Sequence, residues 1–270
     1  MGDITLSAGV RQNLLALQNT ADLFTQTSNR LATGKKVNSA LDNPNSFFTA
    51  QSLQGRASDL SNLLDAESNA VQTVQAANQG ITAIQKLVDS AKALANQALQ
   101  TSNTTTRADL STQFGDLLTQ IDQLAADTSY HGINLLNGDN LKVVFNESST
   151  SSLTIKGVKF DSTGLGLTAI TGNGFQDNNV IDTTLDTIQT ALTSLRTQAA
   201  NFGSNETTVE ARQDFTKDLI NTLQTGADNL VLADTNQEGA NLLALQTRQQ
   251  LSITSLSLAS QADQAILKVL

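Results

Sequence analysis

The 270-residue sequence contains no cysteine and no tryptophan, and only one proline, one tyrosine and one histidine. Without cysteine there is no disulfide, no thiolate metal site and no cysteine nucleophile. His131 has Asp127 as its nearest carboxylate in sequence and no HExxH-like spacing, so it reads as a turn residue and not as a metal ligand or general base. Basic residues are scarce, 16 against 25 acidic, for a net charge of −9. Nucleic acid and anionic membranes need clustered Lys and Arg, so neither is an expected partner. No apolar run approaches the roughly 18 residues of a membrane-spanning helix. The start, MGDITLSAGVRQNLLALQ, has no basic stretch ahead of a continuous apolar one, and a cleavable secretory signal is not expected.

What is present is aliphatic and helical. Hydrophobic residues make up 39% of the chain but aromatics only 4%. Thin helical bundles use such a composition, because each helix buries only a narrow stripe. Val10, Leu14, Leu17, Ala21, Phe24, Ser28 and Leu31 recur in steps of four and three, a heptad seam. Leu60, Leu64, Val71, Val74, Ile81, Ile84, Val88, Ala91, Ala95 and Ala98 continue the rhythm along a helix predicted from Pro44 to about Gln100. Thr106 to Asp109 reads as a weak capping box opening a third helix with Leu110, Phe114, Leu117, Ile121 and Leu124.

From about 137 to 180 the chain turns to Gly, Ser, Thr and Asn. Leu141, Val143 and Phe145, then Leu153 with Ile155 and Val158 with Phe160, alternate around ESSTSS and predict a β-hairpin. Gly164-Leu-Gly166 and Gly172-Asn-Gly174 read as turns. Helix returns with Ile181, Leu185, Ile188, Leu192, Leu195, Ala199 and Phe202, breaks at Gly203, and restarts at the capping box Thr207-Thr-Val-Glu210 in a tract running to Leu270. Leu251, Leu258, Ala262 and Ile266 give the last segment a broad apolar face. The expected fold is mainly α, a long antiparallel helical bundle or coiled coil with a small β-hairpin insert. Two amphipathic ends that each keep an exposed stripe suggest helices that are poorly ordered alone and gain stability by docking on copies of themselves.

One stretch, SNRLATGKKVNSALDNPNSF (28–47), half resembles a phosphate loop. Such a loop requires G-x-x-x-x-G-K-[ST] after a buried strand. Here Asn29 stands at the first Gly position, Lys36 replaces the hydroxyl residue, and a helix precedes. The better account is a helix stop at Gly34, a polar spacer, and a new helix capped by Asn43 with Pro44 at its first position. No catalytic constellation and no cofactor site are found.

The same stretch resembles the N-terminal signature of bacterial flagellins, through Arg30, Leu31, Thr33, Gly34, Lys36, Val37, Asn38, Ser39, Ala40 and Asp42. Residues 232–270 are similar to the flagellin C-terminal helix, and DTSYHGINLLNG (127–138) to the segment before the family's β region. The resemblance implies a structural subunit, not an enzyme, that self-assembles into an extracellular flagellar filament for motility. It implies that residues 1–42 and 236–270 form the inner, channel-lining helices, with Leu14, Leu17, Phe24, Leu31, Leu251, Leu258, Ala262 and Ile266 on their assembly faces. Residues 43–235 are then the outer rod with its β element at about 137–180, and Arg30, Gly34, Asn38, Asp42 and Pro44 mark the spoke between layers. Implied partners are other copies of the chain, the flagellar export apparatus and an export chaperone, the filament cap and the hook–filament junction proteins. A hook–filament junction protein is the nearest alternative; a phasin-like granule coat is one from another class, and it predicts no matched signatures at the two ends.

Overall fold

The structure, a computed structural model, describes residues 8–170 and 174–269, the side chains of residues 263, 264 and 266–269 excepted. Five helices dominate: α1 (Ala8–Thr33), α2 (Pro44–Gln100), α3 (Thr104–Asp127), α4 (Asn178–Val231) and α5 (Thr235–Val269). Between α3 and α4 lie strands β1 (Leu141–Val144) and β2 (Ser152–Ile155), then a single turn of tighter helix at Gly174–Gln176. The chain forms two compact units, one of Met1–Gly55 with Thr222–Leu270 and one of Arg56–Asn221.

The second unit has one continuous core. Val74, Ile84, Val88 and Ala91 of α2, Phe114 and Ile121 of α3, Ile155 of β2, and Ile181, Ile188 and Phe202 of α4 all belong to it. The strands are antiparallel, in register Leu141 with Ile155 and Val143 with Leu153, and the alternate residues Leu141 and Val143 are buried. Val158 and Phe160, expected to extend the hairpin, pair elsewhere. Their N–H groups donate to Leu135 O at 2.8 Å and Leu136 O at 2.9 Å, since the fully buried Leu135 and Leu136 need backbone partners of their own.

Three other helix boundaries differ from expectation. Asn103, not Thr106, caps α3: its Oδ1 accepts the Thr106 N–H at 3.0 Å, so Thr106 already lies inside the helix. α4 runs 54 residues without a break at Gly203. Thr207 Oγ1 donates to Gly203 O at 3.0 Å, the back-bond of a threonine inside a helix, so no cap forms there. The last helical tract is divided instead at 232–234, between α4 and α5. His131 does sit in a tight turn, at φ 49° and stacked on Tyr130. Gly166, at φ 73°, is likewise in a turn; Gly172 lies outside the described residues.

Arg107 joins two helix starts of this unit through neutral hydrogen-bond acceptors. It is almost wholly buried, and its guanidinium donates to Thr101 O at 2.6 Å, Gln176 O at 2.9 Å and Asn178 Oδ1 at 2.7 Å. It thus ties the start of α3 to the start of α4. Phe175 of the intervening turn packs edge-on against Phe114, with ring centroids 5.5 Å apart.

Candidate assembly surface and its joint

The terminal unit pairs α1 with α5. On α5 the covered positions are Glu238, Leu242, Leu245, Gln249, Ser252, Leu256 and Ala259, in steps of four and three. On α1 they are Val10, Asn13, Leu17, Thr20, Phe24 and Thr27, with Ala21 and Ser28 beside them. The spacing is that of a coiled-coil seam, but much of its content is polar. Eight other large aliphatics face outward: Leu14, Leu15, Leu23 and Leu31 on α1, and Leu243, Leu251, Ile253 and Leu258 on α5.

Of the residues singled out in sequence, Leu17 and Phe24 are therefore half-buried in the seam, whereas Leu14, Leu31, Leu251 and Leu258 are exposed, as is Ala262. The side chain of Ile266 lies outside the described residues. The expected α1 seam contained Leu14 and Leu31; the intrachain seam is instead rotated toward Asn13 and Thr27. Both helices thus keep an unpaired apolar face. Arg30 and Glu238 lock the pair, Nη1 to Oε1 at 3.3 Å, with the Glu238 side chain nearly buried.

The joint is built from the stretch that imitated a phosphate loop. Gly34 ends α1 at φ 68°, a conformation any side chain would strain. Its carbonyl accepts the Ala233 N–H at 2.9 Å, and the N–H groups of Lys36 and Val37 both donate to Val231 O at 2.8 and 3.2 Å. Lys36 Nζ donates to Asn229 O at 2.9 Å. These are the last carbonyls of α4, which no intrahelical donor can satisfy and which carry the negative end of its dipole. Lys36, which stands where a phosphate loop carries its hydroxyl residue, thus meets a helix C-terminus.

Val37 then packs with Ala50, Ala227 and Val231 into a small core flanked by Phe47, Leu53 and Leu230. Asp42 organises the remainder of the spacer. Its Oδ2 accepts the N–H of Asn38 and of Ser39, each at 2.9 Å, and the Ser39 hydroxyl at 3.3 Å. The N–H of Ser39, then that of Asn38, hold its carboxyl below the usual range. Asn43 Oδ1 accepts the Ser46 N–H at 3.0 Å, and Pro44 begins α2. Leu41, 96% exposed, stands out from this braced loop.

Asp234, not singled out in sequence, caps α5 by accepting from Asn236 N at 2.9 Å and Gln237 N at 3.2 Å. Its signal was legible: Asp234-Thr-Asn-Gln237 has the spacing of a capping box. The side-chain bond of Lys36 had no local signal, because its acceptor lies 193 residues away.

A test of the joint follows from Gly34. A Gly34→Val variant strains the backbone by about 1–2 kcal/mol, while its Cβ meets no neighbouring atom within 4 Å. The free energy of unfolding in urea should fall by that amount, and Gly34→Asn should lower it much less. Equal behaviour of the two variants would deny Gly34 this role.

Residues 8–141 match the bacterial flagellin N-terminal helical region, and residues 185–270 the bacterial flagellin C-terminal helical region. Flagellin FljM of Caulobacter vibrioides is 33% identical over 95% of each chain. The flagellin of Brucella melitensis is 29% identical over 100% of this chain and 99% of its own. A crystal structure of Bacillus cereus flagellin superposes on 56% of this chain and 88% of its own, with 21% identity and a TM-score of 0.49.

Proposed function

The chain belongs to the bacterial flagellin family, and from that premise we propose how its parts serve the filament. As a flagellin it is a structural subunit that polymerises with copies of itself into the extracellular flagellar filament. The end-to-end similarity to flagellins disfavours both a junction protein and a granule coat.

In our reading, α1 and α5 form the inner layer, residues 43–235 form the outer rod, and residues 34–43 are the spoke. One observation carries this assignment: the α1–α5 seam is partly polar while Leu14, Leu31, Leu251 and Leu258 are exposed. A helix pair that leaves this many large aliphatic side chains exposed is incomplete until other copies cover it. Arg30, Asn38 and Asp42 brace the spoke so that each subunit presents these faces in one orientation. Export through the flagellar apparatus with a dedicated chaperone, and encounters with the cap and junction proteins, complete the proposed route.

The assignment is tested by a Leu251→Asn, Leu258→Asn double variant. Both residues are more than 60% exposed, at 63% and 62%, so stability of the monomer should shift by less than about 0.5 kcal/mol for each. Seeded growth of long filaments should be lost. Deleting residues 252–270 should abolish polymerisation outright, and circular dichroism of the intact chain should show helix content rising as filaments form. Filaments growing normally from either altered chain would refute the inner-layer assignment.

A further inference from the structure

Glu67 lies on α2 within the rod, is fully buried, and has no hydrogen-bond partner for either carboxylate oxygen among the described residues. The helix facing it is α4, antiparallel to α2 here: Gln213 Nε2 donates to Ser68 Oγ at 2.9 Å, and Gln75 Nε2 to Glu206 Oε1 at 2.8 Å. This register brings Glu67 opposite the turns of α4 that carry Arg212 and Lys217, whose charges both act on it.

Neither cation neutralises Glu67 by contact. The Arg212 guanidinium stands 5.3 Å from the centre of the Phe145 ring, just beyond β1. Lys217 pairs with the exposed Asp214 at 3.1 Å. The hairpin's own acid, Glu147, is taken by Arg56 of α2 at 2.8 Å. On α2 the nearest acid, Asp65, is exposed to solvent. Glu67 is thus a buried acid among cations already committed to other partners.

We propose that Glu67 is a proton-controlled latch between the rod helices and the hairpin. Protonated, it fills the α2–α4 interface as a neutral side chain while Arg212 clamps Phe145. When its proton passes to solvent, the carboxylate draws Arg212 from the ring, and the hairpin loses one of its two arginine anchors. A surface cation–π contact is weak, whereas an unpaired buried carboxylate is very unfavourable, so the exchange favours the new ion pair. Burial pushes the Glu67 carboxyl up to about 7, against the opposing fields of Arg212 and Lys217, which places the change near neutral pH.

The test uses the full chain as monomer. Carbon-13 NMR follows the Glu67 carboxyl directly, and hydrogen exchange follows the amides of residues 141–155 at about pH 5.5 and 8.5, corrected for intrinsic rates. The carboxyl should titrate near neutrality, and the hairpin amides should exchange at least about tenfold faster at the higher pH. Glu67→Gln should abolish that ratio and keep the slow rate, while Phe145→Leu should give fast exchange at both. A Glu67 midpoint below about pH 5 overturns the proposal without any variant. So does a wild-type pH ratio that survives in either Glu67→Gln or Phe145→Leu.

Discussion

An Asn134→Ala variant is expected to lose about 3–5 kcal/mol of stability, the largest effect of a single polar truncation in the rod. Asn134 is buried, and its side chain makes four hydrogen bonds. Its Nδ2 donates to Ala125 O at 2.8 Å and Ala126 O at 2.9 Å, satisfying carbonyls in the last turn of α3. Its Oδ1 accepts the N–H of Leu136 at 2.9 Å and of Asn137 at 3.1 Å. Each bond contributes about 0.5–1.5 kcal/mol net, and buried backbone groups left without partners add their desolvation penalty. The neighbouring Leu135 and Leu136 are nearly or wholly inaccessible, so water cannot readily replace the amide. Urea unfolding of the full chain, followed by circular dichroism, should show the loss. The exposed Asn137→Ala should change stability by less than about 0.5 kcal/mol. A loss below about 1 kcal/mol for Asn134→Ala would mean that the turn rearranges to find other partners.

Asn134 also shows where sequence reasoning succeeds and where it stops. The segment DTSYHGINLLNG stood out as a family feature. Its physical purpose includes two bonds whose acceptors lie in the preceding helix, and no periodicity encodes them. Local signals were legible: Asn43 and Pro44 open α2, Gly34 closes α1, and the ESSTSS turn joins two alternating strands. They were legible because each depends on residues within one turn of itself. Thr106 and Thr207 misled for a related reason. A threonine near an acid resembles a cap, but Asn103 competes better at the start of α3, and a threonine inside a helix bonds back to its own preceding turn.

The phase of the α1 seam was obscured by a different cause. Apolar residues on this helix occupy more than one face, so their rhythm adds the intrachain contact to the faces left exposed. Leu14 and Leu17 are equivalent in the sequence pattern, yet only Leu17 is half-covered by this chain. A helix made for several neighbours carries a wide apolar stripe, and its sequence alone does not apportion that stripe among them. Lys36 is a different case: it counted against a phosphate loop, and the group it meets is the negative, carbonyl end of α4.

Glutamine at position 67 is expected to stabilise the rod by about 3 kcal/mol at pH values above about 8, and to leave stability near pH 4 little changed. The sign follows from which state holds the proton more tightly. The Glu67 carboxyl titrates at about 7 in the folded chain, raised by burial from its ordinary 4.5. The folded state therefore binds the proton more tightly than the unfolded one. The contribution of neutral Glu67 is complete below about pH 4.5, falls as pH rises, and is lost once pH passes about 7. A shift of this size corresponds to roughly 3 kcal/mol between the two limits. Glutamine keeps the shape and cannot ionise, so its unfolding midpoint in urea should be flatter across that range. Arg212→Gln supplies the complementary arm. Arg212 lowers the Glu67 carboxyl, so its removal should move the midpoint of the pH dependence upward and deepen the loss at high pH. If wild type and Glu67→Gln lose stability in parallel between about pH 5 and 8, another group governs the dependence. If Glu67→Gln destabilises the chain at about pH 8, the ionised carboxylate costs the folded state nothing and burial does not raise the Glu67 carboxyl.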